Sequence, residues 1–268
     1  MLEHRDNVDP ETCAWWNKLC HETTLAMQDY CMRYITPISC AVEDEWGLLE
    51  GTGAYIELNG KRCLLTNEHV VRDWETRQFT HQFNGCDDVF KLFGGPLAIK
   101  QHPIDCAVYI VEDNIWNIRE HGAEAVPSDC ISQRHDPVPG ELLFLAGYPD
   151  KRSKSLHRSL INRATRLVTQ EIPNMQIPDL HANHFLLNYS PSNAESVDPL
   201  NKVDLSEPRG LSGSLVWNSR RLECYQQNIE WTPDLAQVTG LLCRWDSSAS
   251  SVIAIRIETV LKFMAQNI

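Results

Sequence analysis

The sequence has no unbroken apolar run of roughly 18 residues, so no helix in it is expected to span a bilayer. Its opening, Met1-Leu2-Glu3-His4-Arg5-Asp6, lacks the charged-then-apolar order of a secretory leader. Positive charge is scarce. With 24 Lys and Arg against 36 Asp and Glu, the net charge is −12, which argues against a grip on nucleic-acid phosphates or an anionic membrane surface. No Cys-x-x-Cys pair occurs, so a structural zinc site is not expected. The ten cysteines are scattered through the chain, many of them in apolar runs, and read as buried reduced thiols rather than a disulfide framework. The nearest metal-like spacing, His181-Ala182-Asn183-His184, lies in a polar segment and reads as two surface histidines. These absences together lead us to expect a cytoplasmic chain with no metal and no cofactor.

What is present is enough apolar material for one large core or two modest ones: 268 residues, 43% of them hydrophobic. Asp9-Pro10-Glu11 reads as a helix start, with an N-cap acceptor, a proline at the first helical position and an acid in the first turn. Trp15, Leu19, Thr23, Met27, Tyr30 and Tyr34 recur at three or four residues, giving a helix of about six turns with one apolar stripe. Thr36-Pro37 ends it. A helix packed on its own domain is the favoured reading. A partner-binding helix is the alternative, because the adjacent Trp15 and Trp16 cannot both face one core.

From Ile38 the apolar period changes to two. Strands are expected at 38–42, 53–58 and 61–66, the last two joined by Asn59-Gly60, a strong short hairpin signal. Further candidates are 77–83, 89–93 and 106–111. A second group follows Pro139-Gly140 at 142–146, 159–170, 185–189, 213–217, 237–244 and 252–257. A short helix closes the sequence. Many short strands and few helices predict an all-β fold of two six-stranded antiparallel barrels, with an N-terminal helix (1–36) and a short C-terminal helix (258–268). The barrels would occupy about 37–112 and 141–257, with 113–140 as connector.

One stretch organises the rest. In Gly210-Leu211-Ser212-Gly213-Ser214, glycines flank a serine, allowing a tight turn that aims amide N–H groups at a reacting carbonyl. Such clusters mark ordinary turns far more often than active sites, so the reading needs a base and an acid elsewhere. Leu65-Thr66-Asn67-Glu68-His69-Val70-Val71 places a histidine just after a buried strand. Asp105 immediately precedes Cys106-Ala107-Val108. A serine nucleophile needs a neutral imidazole to take its proton and a carboxylate to orient that imidazole, so His69, Asp105 and Ser212 are the expected catalytic set. Each has a plainer reading: a satisfied core histidine, a turn-capping aspartate (with Asp87 or Asp88 as rival orienters), and Ser214 in place of Ser212.

The motifs, taken in order, resemble the trypsin/chymotrypsin-fold serine peptidases, and within them the HtrA-like bacterial branch. The resemblance runs from about Ile38 to Met264. It rests on Gly51-Thr52-Gly53-Ala54, the histidine motif, Asp105-Cys106-Ala107-Val108, Gly147-Tyr148-Pro149, Gly210 to Ser214, and Ala254-Ile255-Arg256-Ile257. It implies a serine endopeptidase acting on a protein or peptide substrate, with His69 as general base, Asp105 as orienter and Ser212 as nucleophile. The backbone N–H groups of Gly210 and Ser212 would form the oxyanion hole. It also implies a specificity pocket walled by Ser206 to Arg209 and by Thr239-Gly240-Leu241-Leu242. Ser206 stands where trypsin-like specificity requires an acid, so an Arg/Lys preference is not expected. Leu241 or Leu242 would suit small or medium apolar side chains, and Glu207 leaves that preference open.

The sequence departs from the pattern in three ways. Ser214 replaces a second glycine, no PDZ domain is expected after the last helix, and no clipping-type new N-terminus is evident ahead of Ile38. Control by an activating partner, or by ordering of the loop before Gly210, is therefore the expectation. Relatives of this branch in bacterial defence operons suggest a context. The basic stretch Lys151, Arg152, Lys154, Arg158, Arg163 and Arg166 reads as a solvated face, with docking of an acidic partner or substrate as the alternative. A peptidase fold kept as a silent binding or scaffold module is the rival functional class.

Overall fold

A computed structural model describes residues 9–42, 45–156, 159–175, 177–194, 205 and 207–268. Helix α1 (Pro10–Cys31) begins as its sequence predicts: Asp9 accepts a hydrogen bond from the Thr12 N–H at 3.1 Å, and Pro10 occupies the first turn. Leu19, Thr23, Met27 and Cys31 are buried along one face. Tyr30 and Tyr34 pack on Trp217, with ring centroids 5.9 and 5.7 Å away, so the stripe docks on this chain's own second sheet. Trp15 remains exposed, leaning on Tyr225.

The first sheet holds β1 (Ile35–Val42), β2 (Glu45–Leu58), β3 (Lys61–Thr66), β4 (Gln78–Gln82), β5 (Val89–Lys91), β6 (Ala98–Lys100) and β7 (Cys106–Ile110). They are antiparallel in the order β5-β4-β1-β2-β3-β7-β6. Asn59 and Gly60 both take positive φ, 51° and 73°, as the two-residue hairpin between β2 and β3 demands. The two edge strands are consecutive in the chain. Leu92 N–H bonds the Phe79 carbonyl and Leu97 N–H bonds that of Val108, so the segment 92–97 ties one edge of the curled sheet to the other. Ile38, Tyr55, Leu64, Phe79 and Tyr109 fill its interior.

A short helix, α2 (Asp113–Trp116), follows, and then a connector bonded to both sheets. Glu57 N–H reaches the Val126 carbonyl and Ser132 N–H reaches that of Val238. The second sheet uses β8 (Leu143–Gly147), β11 (Thr165–Thr169), β12 (His184–Asn188), β13 (Leu215–Asn218), β14 (Gln237–Asp246) and β15 (Ser251–Arg256), in the order β11-β8-β13-β14-β15-β12. Its edges also meet: Asn188 N–H bonds the Gln170 carbonyl at 3.0 Å, and Ile172 N–H bonds that of Leu186 at 2.8 Å. Strands β9 (Ser153–Leu156) and β10 (Ser159–Asn162) form a separate two-stranded hairpin. Helix α3 (Arg221–Gln227) follows β13, and α4 (Ile257–Asn267) closes the fold.

The chain is thus mostly β, in two antiparallel sheets with a helix at each end. The single strand expected at 159–170 is in fact two, because 159–162 pairs with β9 while 165–169 pairs with β8. Neither β6 nor α3 is foreseen by the sequence, each being too short to establish a period. The largest apolar cluster joins the facing sides of both sheets to the helices, with Cys106 and Val108 meeting Leu215, Trp217 and Ile255, and with Met27 and Phe263 among its members. None of the ten cysteines forms a disulfide. Among the described residues, no helix is long and apolar enough to cross a membrane.

Candidate active site

His69 lies in a single helical turn, Glu68–Val70, directly after β3. Asn67, fully buried beneath it, donates its side-chain amide to the Asp105 carbonyl at 2.8 Å. Asp105 itself takes φ of +43°, a conformation costly for a residue with a Cβ. In return its carboxylate faces His69 and accepts twice, from the backbone N–H at 3.1 Å and from the ring Nδ1–H at 2.7 Å. A carboxylate can only accept here, so the proton sits on Nδ1 and the Nε2 lone pair is left available. The rival orienters are elsewhere: Asp88 pairs with Arg119 at the surface, and Asp87 is exposed.

The serine loop is held by both sheets. Thr52 in β2 donates its N–H to the Ser212 carbonyl at 2.8 Å and its hydroxyl to the Gly210 carbonyl at 2.9 Å, and that hydroxyl accepts from Tyr148 N–H at 2.9 Å. Gly213, with φ of +89°, comes so close to β2 that a Cβ would lie 1.9 Å from the Thr52 oxygen. Gly210, with φ of +92°, also packs closely, a Cβ there lying 2.6 Å from the Tyr148 oxygen and 2.8 Å from the Asp150 nitrogen. Gly51 marks where the two loops converge, because a Cβ there would touch both the Val70 side chain and, at 3.1 Å, the Ser212 backbone carbonyl oxygen. The loop carrying His69 and the loop carrying Ser212 therefore meet over one residue of β2.

Within this loop the amides divide cleanly. Leu211 N–H bonds Pro208, Gly213 N–H bonds Leu242, and Ser214 N–H bonds Leu211. Gly210 N–H and Ser212 N–H have no acceptor among the described residues. The Arg209 carbonyl is turned onto Asp150 N–H at 2.9 Å, which in a trans peptide points the Gly210 N–H the opposite way. Two unsatisfied donors on either side of Leu211 are a ready-made cradle for an oxyanion.

Ser212 Oγ donates to the Cys243 carbonyl at 3.4 Å, and among the described residues no hydrogen bond joins it to the His69 ring. The Cys243 thiol lies within electrostatic range of Asp105; burial, and after it that carboxylate, hold the thiol protonated. Ser212 thus rests on the backbone of Cys243, a residue the sequence reading did not single out. Ser214 is the buried serine of the pair, its hydroxyl unpartnered and pressed against Gly147, where a Cβ would lie 2.1 Å away.

Of the residues proposed for a specificity pocket, Leu242 exchanges backbone hydrogen bonds with Gly213 and Ser214 of the serine loop. Ser206 lies outside the described residues. Glu207 is exposed and pairs with Lys151 at 3.2 Å. Thr239 is buried with its hydroxyl bonded to His135, Leu241 is buried between the sheets, and Leu242 is in the core of the second sheet. His184, expected at the surface, is buried at the start of β12 and donates from Nε2 to the Pro103 carbonyl at 2.8 Å. Among the described residues no group of three or more His, Cys, Asp or Glu side chains is arranged to hold a metal.

No family model matches the chain, and no curated protein matches it. A solved structure from work on how aromatic interactions couple folding to binding in the intrinsically disordered VPg protein of Sesbania mosaic virus is similar in outline. It is 13% identical, covering 87% of this chain and 90% of that one, with a TM-score of 0.48. A likeness this loose carries no inference about chemistry, and the residues themselves must supply it.

Proposed function

We propose that the chain is a serine endopeptidase of the trypsin/chymotrypsin type, similar to the HtrA-like branch and acting in the cytoplasm. Its first sheet reads as a six-stranded barrel if β5 and β6 are the two halves of one bent strand, and its second as a six-stranded barrel closed by the 170–172 and 186–188 bonds. The observation that carries the reading is the pairing of an Asp105-oriented His69 with two unsatisfied amides beside Ser212.

In this reading Ser212 Oγ leaves the Cys243 carbonyl by rotation about its Cα–Cβ bond and attacks the peptide carbonyl. His69 Nε2 takes the hydroxyl proton, and Asp105 stabilises the imidazolium that results. The oxyanion is received by the N–H groups of Gly210 and Ser212. His69 then gives its proton to the leaving amine, and a water resolves the acyl-enzyme by the same steps in reverse. An activating partner would act by favouring the productive Ser212 rotamer.

A fluorophosphonate probe tests this directly: it should label the native chain and leave Ser212→Ala unlabelled. Cleavage profiling on a peptide library, with and without candidate partners, would follow. The second reading, a silent scaffold, is favoured by the serine hydroxyl resting on Cys243 rather than on His69. Labelling of the native chain eliminates it.

A further inference from the structure

The catalytic set leaves the basic stretch after Gly147 unused, and the fold places the residues that lead into it, Tyr148 to Asp150, against the serine loop. Asp150 N–H holds the Arg209 carbonyl, and a Cβ on Gly210 would lie 2.6 Å from the Tyr148 oxygen. Two residues on, Arg152 is half-buried and turned inward. Its Nη1 donates to the Ala164 carbonyl at 3.4 Å, and its guanidinium lies within electrostatic range of Tyr189. Tyr189 shares an apolar cluster with Leu211, the residue between the two unsatisfied amides. Arg163 N–H bonds the Arg152 carbonyl at 3.3 Å, and the Arg163 and Arg166 guanidinium groups both come within range of Arg152.

None of these three arginines has a carboxylate partner among the described residues, in a chain carrying 36 acids. Arginines elsewhere do pair: Arg33 with Glu124, Arg62 with Asp113, Arg72 with Glu68 and Arg220 with Glu223. Burial first, and then Arg166 and Arg163, depress the Arg152 pKa below its usual value, against an opposing pull from Tyr189. A wholly solvated basic face would not draw one guanidinium inward toward a tyrosine that shares an apolar cluster with Leu211.

We infer that Arg152, with Arg163 and Arg166, recognises an acidic side chain, so that the preferred substrate is a peptide with Asp or Glu within a residue or two of the cleaved bond. The inference rests on the hydrolase reading above. Each extended residue spans roughly 3.5 Å, so a side chain so placed is in reach of a turn bonded directly to the loop that carries the oxyanion donors. Guanidinium is suited to the task, because its planar fork matches a carboxylate.

The test compares matched peptides that differ only in Glu against Gln, or Asp against Asn, near the scissile bond. The full chain should turn over the acidic member about 10- to 100-fold better in kcat/KM, and added salt should narrow the gap. Arg152→Gln should erase most of the difference and Arg152→Lys restore part of it, while labelling of Ser212 by a neutral fluorophosphonate stays at the native rate. Arg166→Glu, at an exposed position, should lower the preference without threatening the fold. Equal turnover of acid and amide by the native chain overturns the inference, as does a loss of labelling in Arg152→Gln that parallels its loss of turnover. Failure of the native chain to label at all overturns the hydrolase reading, and this inference with it.

Discussion

Asp105 accepts two hydrogen bonds from one residue, and that geometry sets what a change at the site should do. In Asp105→Asn an amide replaces an acceptor-only carboxylate, so the His69 ring is free to adopt the tautomer that cannot take a proton at Nε2. A loss of roughly ten-thousand-fold in kcat is expected, and steady-state hydrolysis or the rate of fluorophosphonate labelling would measure it. Ser212→Ala should cost roughly a million-fold, and His69→Ala nearly as much; turnover at half the native rate in either would refute the assignment. At the same scale, His81 makes a separate prediction about stability. Its buried ring is bonded to the Tyr55 hydroxyl at 2.7 Å, and burial pushes its pKa down to about 4 from the usual 6.5. Above the usual value His81 is neutral in both folded and unfolded chains and contributes no pH dependence. As pH falls through the window between the two values, the unfolded chain takes the proton first, and about 3 kcal/mol of stability is lost. Thermal melts across that window should record the fall, and His81→Phe should flatten it.

Elements were legible in proportion to how long they keep one period. The long N-terminal helix could be read from its stripe, and the β2–β3 hairpin from two residues whose positive φ is a local demand. Strand β10 could not be separated from β11 in advance, because what divides them is a change of partner, and partners are not written in the apolar pattern. Helix α3 escaped for a related reason: its start is held by a distant carboxylate, Glu141, which accepts from the N–H groups of Leu222 and Glu223. The docking of α1 offers the prediction at this scale. Tyr34 is buried against Trp217, so Tyr34→Ala should destabilise the chain by about 3 kcal/mol, read as a lower denaturant midpoint at unchanged slope.

For the whole molecule, the site depends on the two sheets being held in register, and Thr52 does much of that work. Its hydroxyl bridges Tyr148 N–H and the Gly210 carbonyl, linking β2 of the first sheet to two segments that belong with the second. Thr52→Val keeps the shape and leaves a buried amide and a buried carbonyl without their partner. A cost of about 1–3 kcal/mol in stability is expected, together with slower labelling of Ser212, since the same bonds orient the peptide before Leu211. A valine variant with native stability and native labelling would remove Thr52 from this role.

The sequence alone determined the β-rich architecture, the helix at each end and the identity of His69, Asp105 and Ser212 as the residues to examine. All of these follow from short-range periodicity, turn chemistry and the placing of polar residues at the ends of apolar runs. Tertiary structure alone decided that Asp105 faces His69, that the amides at 210 and 212 lack acceptors among the described residues, that Leu241 is buried between the sheets, and that Tyr148 and Asp150 pack on the serine loop. Each of these depends on which distant backbone groups satisfy one another, and hydrogen bonds between residues a hundred positions apart leave no trace in the local pattern.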